Sequence, residues 1–145
     1  MEETLKHIKN VFKKAKQFGK LLRLKAYTHD LSKLGGEEGR VFDEFTPLLK
    51  NTAYGSIDYY GYLEKMKPAI ESHYRNNRHH PEHFANGIAG MNLVDVVEMF
   101  CDWLAAVERN ENGDIFQSIE INAKRFNISD QLKQIFINSA KELRL

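Results

Sequence analysis

The chain has 145 residues, of which 42% are hydrophobic and 28% are charged, as is typical of one soluble globular domain over residues 1–145. Its formal net charge of +1 excludes a strong general attraction to nucleic acid or to a membrane surface. The single cysteine, Cys101, excludes an internal disulfide and favours a reducing compartment. The amino-terminal residues are charged and lack a secretory apolar core, and no run approaches the ~18 apolar residues of a membrane span, so we expect a cytoplasmic protein.

Helical spacing of apolar residues dominates the chain, and alternating β-branched residues are scarce, so we predict a nearly all-α fold. The first helix is predicted from about Glu2 to Phe18, and its buried stripe should contain Leu5, Ile8, Phe12 and Ala15. A second helix is predicted from about Lys20 to Leu34, and the glycines at 35 and 36 should stop it. A short helix should follow within 37–50.

The middle and the last part of the chain contain clear helix boundaries. A helix is predicted near 57–76, and Pro68 either kinks it or marks its start. A turn-rich segment follows, with one helical turn after Pro81. Asn92 should cap an apolar helix, "LVDVVEMFCDWLAAVER", which we expect to be central. Two further capped helices complete a single-domain bundle of about six to seven helices: Asp114 should begin a helix from Ile115 to about Phe126, and Ser129 one to about Leu143.

Three acidic residues lie on the predicted central helix. Asp95 and Asp102 differ by only about 20° around the helix axis, and Glu98 lies on the same side. A buried carboxylate needs solvent, a cationic side chain or a metal ion to compensate for lost hydration. These three acids therefore lie either on the solvent-facing side of the helix or in an inward-facing row. Asp102, which lies deeper in the apolar run, is expected to have an internal partner.

Histidines are the other candidate ligands, because neutral imidazole and carboxylate bind zinc, manganese and iron. Four of the six histidines crowd into "HYRNNRHHPEH". His7 borders the apolar stripe of the first helix and could face inward, although a surface histidine is the simpler interpretation. His29 and Asp30 are adjacent, so both can reach one ion only at a helix end. The alternative is a polar contact from His29 and a solvated Asp30.

The order of His7, the pair His29 and Asp30, and Asp102 resembles the H…HD…D pattern of the HD-domain metal-dependent phosphohydrolase superfamily. "HDLSK" is similar to the HD-x-G-K version of its motif, with serine at the glycine position. The clustered histidines resemble the added histidines of binuclear branches. The match covers about 5–108, and the "HYxxNxHHPEH" block is similar to that of small uncharacterised HD-like proteins of bacteria and phages.

The resemblance implies an HD-like bundle with one or two divalent ions (Mn, Mg, Fe or Zn). It implies that Asp30 both binds metal and takes part in catalysis, with Lys33 approaching the phosphate. The arginines 75 and 78 would assist in substrate binding, unless they are solvated surface charges. His83 is left to fix the turn. The implied metal ligands are His7, His29, Asp30, His73, His79, His80 and Asp102.

The resulting functional hypothesis is hydrolysis of a small phosphate ester, expected to be a nucleotide, by a metal-activated water. The alternatives are an HD-type di-iron oxygenase and a non-catalytic metal-binding helical module. The sequence predicts no membrane or nucleic-acid partner, and it leaves an oligomer open. Many HD nucleotidases carry an acid a few residues after the aspartate, as a general acid or base. Here position 33 is lysine, and Glu37 and Glu38 fall beyond the glycines.

Overall fold

The computed structural model describes residues 1–53, 55–109 and 112–143, and within these ranges it contains six α-helices and no β-strand. The predicted all-α, single-domain fold is confirmed. Three short 3-10 helices, at Leu31–Leu34, Pro81–His83 and Gly87–Gly90, lie in the connections. The α-helices are α1 (Glu2–Thr28), α2 (Gly36–Lys50), α3 (Ile57–Asn76), α4 (Leu93–Val107), α5 (Ile115–Arg125) and α6 (Asp130–Glu142).

The first two predicted helices are one continuous helix, so the predicted break between Phe18 and Lys20 is wrong. A single Gly19 weakens a helix by roughly 0.5–1 kcal/mol, which good helix formers on both sides overcome. The helix also ends earlier than predicted, at Thr28 instead of Leu34. The turn that ends it is formed by His29 and Asp30.

The predicted buried stripe in the first half of α1 is also wrong. The side chains of Leu5, Ile8 and Phe12 are 52%, 56% and 68% exposed, and Ala15 is exposed as well. Only the second half of α1 runs along α4. There, Leu22 and Lys25 of α1 line a groove between the two helices. The stripe is therefore apolar without being covered by its own chain.

The apolar core lies between α4, α5 and α6, which confirms that α4 is central. The rings of Phe100 and Phe136 stack at 5.0 Å between centroids, and Trp103 contacts Phe136 edge-on at 5.4 Å. Burial of this apolar surface is the main source of stability in this half of the protein. The buried core residues are Met99, Phe100, Trp103, Ile115, Ile119, Ala123, Ile128, Phe136 and Ala140.

The three predicted N-caps in the carboxyl-terminal half are confirmed. Asn92 accepts hydrogen bonds from the backbone N–H groups of Val94 and Asp95, and the Asp95 carboxylate accepts one from the Asn92 N–H, which completes a capping box. Asp114 and Ser129 likewise accept backbone hydrogen bonds at the starts of α5 and α6. These caps fix where each helix begins.

In the amino-terminal half, α2 packs against α3, and the start of α2 lies against the 3-10 helix after α1. Pro68 lies well inside α3, so it does not mark the start of that helix. Gly39 is buried at this contact, where an added Cβ would lie 2.5 Å from the Lys33 carbonyl oxygen. The close approach of Gly39 holds the segment after α1 over the end of α3. None of the described helices is long and apolar enough to cross a lipid bilayer.

Candidate metal centre

The turn at the end of α1 directs two neighbouring side chains to one place. His29 leaves helical geometry at φ −55° and ψ 125°, and Asp30 adopts the left-handed conformation at φ 54° and ψ 18°. Aspartate tolerates that conformation better than most residues. The two side chains are 30% and 22% exposed, and both face the interior of the bundle. The helix end thus solves the problem that adjacent helical residues point about 100° apart.

Three histidines from the end of α3 and the turn after it meet Asp30. The Asp30 Oδ1 atom lies 3.3 Å from His73 Nε2 and 3.4 Å from His79 Nε2. His73 Nε2 lies 2.8 Å from His80 Nε2. His73 and His79 are only 2% and 1% exposed. We call these four residues the Asp30 group, and their ligand atoms all lie within 4.8 Å of one another.

Two atoms of the Asp30 group are buried without a hydrogen-bond partner among the described residues. They are Asp30 Oδ1 and His79 Nε2, which face each other. Burying such atoms unsatisfied is costly, and a cation between them would satisfy both. Four ligands at about 2.0–2.1 Å from a tetrahedral ion would lie about 3.3 Å apart, close to the distances from Asp30 Oδ1 to His73 and His79. The group therefore fits a divalent metal ion and can hold one.

Two glutamates orient the histidines of the Asp30 group. Glu38 Oε1 lies 2.9 Å from His73 Nδ1, and Glu98 Oε1 lies 3.4 Å from His79 Nδ1. If each Nδ1–H donates to its carboxylate, each Nε2 keeps its lone pair for a metal ion, as in many metal sites. Glu98 was left open between the solvent-facing side of the helix and an inward-facing row, and no contact was predicted for Glu38, which lies beyond the glycines. For Glu98, the available signal was its position inside the most apolar helix.

A second group of possible ligands lies beside the first and consists of His29, His79 and Glu98. Glu98 Oε1 is 3.3 Å from His29 Nδ1, and Glu98 Oε2 is 3.1 Å from Lys25 Nζ. A neutral imidazole has one lone pair, so His79 serves as a ligand in only one of the two groups. Because the Asp30 group offers four converging ligands and this group offers three, the Asp30 group is the better cation site.

A family model described as "Family of unknown function (DUF5662)" matches residues 1–142. The chain belongs to the DUF5662 family. No curated protein and no solved structure matches it. The resemblance to the HD-domain superfamily therefore stays a prediction for this DUF5662 protein.

Burial and neighbouring charges in the DUF5662 site keep two of the ligands in the deprotonated state that a metal ion requires. Burial would raise the pKa of Asp30, but His73 and Lys33 outweigh it and hold that pKa well below its usual value. Burial, with His79 and His73 nearby, lowers the pKa of His80 to about 3. Metal ligands must be deprotonated, and these shifts keep Asp30 ionised and His80 neutral at physiological pH.

The pKa of His29 is shifted in the opposite direction, towards the charged form. Its contacts with Asp102 and then Glu98 raise its pKa to about 10, even though burial acts against the charge. Burial would raise the pKa of Asp102, but His29 outweighs it and lowers that pKa. Without a metal ion, His29 and Asp102 therefore form an ion pair, with 3.6 Å between His29 Nε2 and Asp102 Oδ1.

Three predicted ligands of the DUF5662 chain do not join the Asp30 group: His7, Asp102, and His29, which converges only with His79 and Glu98. His7 is exposed on α1, 22 residues before His29, which puts it about 33 Å away along a continuous helix. The expectation that His7 completes the ligand set is corrected, because it assumed a break in that helix. Asp102 has the internal partner predicted for it, His29, but its oxygens are not among the ligand atoms that converge.

The predicted phosphate-binding cations are placed differently from one another. Lys33 Nζ donates to Asp30 Oδ2 at 2.7 Å, directly beside the Asp30 group. Arg78 is instead paired through two nitrogens, at 3.1 and 2.8 Å, with the buried carboxylate of Asp95. Arg75 is exposed on α3.

His83 donates from Nδ1 to the Tyr74 carbonyl oxygen at 3.1 Å, which fits its predicted role in the turn.

A groove of about 520 Å³ between α1 and α4 opens beside the candidate metal centre, and we call it the α1–α4 groove. Its volume is within the range of small-molecule sites. It is lined by Leu22, Arg23, Lys25, Ala26, His29, Val97, Glu98, Cys101, Asp102 and Ala105.

Proposed function

We propose that this protein is a metal-dependent phosphohydrolase that cleaves a small phosphate ester, with a nucleotide as the expected substrate. The observation that carries the proposal is the convergence of three imidazoles on a buried carboxylate, with Asp30 Oδ1 and His79 Nε2 facing each other unsatisfied. Buried polar atoms are seldom left without a hydrogen-bond partner, and an ion between these two atoms would account for both. The resemblance of "HDLSK" to the HD motif supports the same chemistry.

The Asp30 group would hold the ion through Asp30, His73, His79 and His80. A divalent ion supplies Lewis acidity there and lowers the pKa of a bound water from near 16 to about 7. Glu38 and Glu98 keep two of the imidazoles in the tautomer that a ligand requires. Because His79 has one available lone pair, a single ion of high affinity is expected.

Lys33 is the cation best placed to act on a phosphate. Its side chain is 34% exposed and its ammonium group donates to Asp30 Oδ2, so it lies at the boundary between the buried ligands and solvent. A cation in that place stabilises the negative charge that develops on phosphoryl oxygens. The α1–α4 groove offers room for the rest of the ester beside His29 and Asp102.

The metal site is tested by elemental analysis of the purified protein after loading with Mn²⁺ or Zn²⁺. We expect about one ion per chain, and we expect Asp30→Ala and His79→Ala to lose it. His7→Ala is the matched control, because it removes an imidazole from the exposed part of α1 and should retain the ion. Equal metal content in all four proteins would contradict the assignment of the Asp30 group.

The activity is tested by phosphate release from a panel of nucleotides and simple phosphate esters. Lys33→Ala should keep the ion and lose most of the turnover, because Lys33 is not a ligand. Metal binding without phosphate release would favour the non-catalytic module. An iron pair that reacts with oxygen, seen by its absorption spectrum at two ions per chain, would favour the oxygenase.

A further inference from the structure

The first half of α1 carries an apolar stripe that its own chain leaves uncovered. The stripe follows alternating steps of three and four residues, which is the spacing of a helix-pairing seam. The same spacing continues into the second half of α1, where Leu22 is partly buried. We call this seam the α1 stripe, and it consists of Leu5, Ile8, Phe12, Ala15, Gly19, Leu22 and Ala26.

The α1–α4 groove is the continuation of the α1 stripe. One wall is formed by Leu22 and Ala26 of the stripe. The other wall is formed by Val97, Cys101 and Ala105, which are four residues apart and so share one face of α4. All three of these α4 residues are exposed. An apolar helix laid on the α1 stripe would therefore also fill the groove.

The stripe is complementary to itself when two copies of α1 run antiparallel. Its bulky residues, Leu5, Ile8 and Phe12, are in the uncovered half, and its small residues are in the middle and the second half. Gly19 has open space around it, with no atom within 4 Å of an added Cβ. Ala15 and Gly19 would let the two helix axes approach closely, and each bulky half would lie against the groove of the other copy.

Charge favours the same occupant. Helix α1 carries eight of the 21 Lys and Arg residues and two of the 20 Asp and Glu residues, so the rest of the chain is negatively charged. In the α1–α4 groove, the wall formed by α4 carries Glu98 and Asp102, and residues 93–107 contain no Lys or Arg. The lysines in the first half of α1 are therefore attracted to that wall of another copy. At the edges of the stripe, the lysine stems can cover apolar surface while their ammonium groups stay in water.

We propose that the protein is a homodimer in which the two α1 helices pair antiparallel through the α1 stripe. The first half of each α1 fills the α1–α4 groove of the other copy, so the arrangement is two-fold symmetric and both grooves are closed. His29 and Asp102 line that groove, so the second copy covers one side of the candidate metal centre. The dimer does not depend on the proposed hydrolase activity.

Light scattering on a size-exclusion column tests the oligomeric state. The intact protein should have twice the chain mass of 16.9 kDa. The double variant Ile8→Asp and Phe12→Asp should be a monomer with unchanged helical circular dichroism, because both side chains are exposed on their own chain. The matched control is Asn10→Asp with Gln17→Asp, which places two charges on the opposite side of α1 and should remain dimeric.

Disulfide cross-linking tests the proposed arrangement. Ile8→Cys should form a reducible dimer with the native Cys101 of the other copy, because Cys101 lines the groove. Replacing Cys101 by Ser in that variant should abolish the cross-link. Asn10→Cys, on the far side of α1, should not cross-link.

An intact protein that is monomeric at 50 µM would overturn the proposal. If that monomer bound vesicles of anionic phospholipid, a lipid surface would be the occupant of the stripe instead. A dimer that survived the double aspartate substitution, or that failed to cross-link through Cys101, would place the interface on another face.

Discussion

The two halves of the molecule are held together by different chemistry. The α4–α6 half buries aromatic and aliphatic side chains around Phe136 and Trp103. In the α1–α3 half, the most deeply buried groups near the end of α3 are the imidazoles of His73 and His79, with Glu38 and Asp30 beside them. The α4–α6 half gains stability from apolar burial, whereas the α1–α3 half needs compensation for its buried polar groups. The contrast indicates that the α4–α6 half is the scaffold and the α1–α3 half is the site.

The largest expected effect is on the stability of the α4–α6 core. Phe136→Ala should lower the free energy of unfolding by roughly 3–5 kcal/mol, because it leaves a cavity beneath Phe100 and Trp103. Chemical denaturation with and without EDTA checks this, and the loss should be the same in both conditions. A loss of stability seen only in the presence of metal would mean that the α4–α6 core and the metal site do not contribute independently to the free energy of unfolding.

Metal binding should sharpen the contrast by stabilising the other half. At a free metal concentration 100 times the dissociation constant, the unfolding free energy should rise by about 2.7 kcal/mol. Thermal melts with Zn²⁺ and then EDTA measure the difference, and Asp30→Ala should remove it. A metal-dependent rise of equal size in Asp30→Ala would place the ion elsewhere.

The third effect is a pH dependence confined to the metal-free site. The pKa of His29 is raised from 6.5 to about 10, so its ion pair stabilises the folded protein below pH 6.5. That stabilisation should fall as the pH rises from 6.5 to 10. Denaturation in EDTA across this range should show the fall, and His29→Gln should flatten it. An increase in stability with pH that depended on His29 would contradict the ion pair.

The smallest effect concerns the helix on which both halves meet. Asn92→Ala should cost about 1 kcal/mol, because it removes the side-chain acceptor at the start of α4. Urea denaturation measures this, with the exposed Gln131→Ala as a control that should change nothing. Equal stability of the two variants would show that the cap is dispensable.

How much could be predicted from the sequence also differs between the halves. The α4–α6 helices and their caps were predicted nearly to the residue, because Asn92, Asp114 and Ser129 act on backbone groups only two or three positions away. Such local interactions are visible in the sequence. The metal-site half depends on contacts between residues far apart in the chain.

In that half, the resemblance to the HD-domain pattern implied the convergence of Asp30 with the histidines of the "HYRNNRHHPEH" block, and it also implied a role for His7. The continuity of α1, which keeps His7 far from the others, could not be predicted, because one glycine is compatible with both a helix interior and a helix end. The pairing of Glu38 with His73 joins residues 35 positions apart. Neither spacing nor composition indicates such a contact.

The most direct test of the central claim is X-ray absorption spectroscopy of the zinc-loaded protein. We expect a first coordination shell at about 2.0–2.1 Å with three imidazoles and a carboxylate oxygen, and no such shell in His79→Ala, which should not retain zinc. A spectrum with no imidazole scattering, or one unchanged in His79→Ala, would contradict the account.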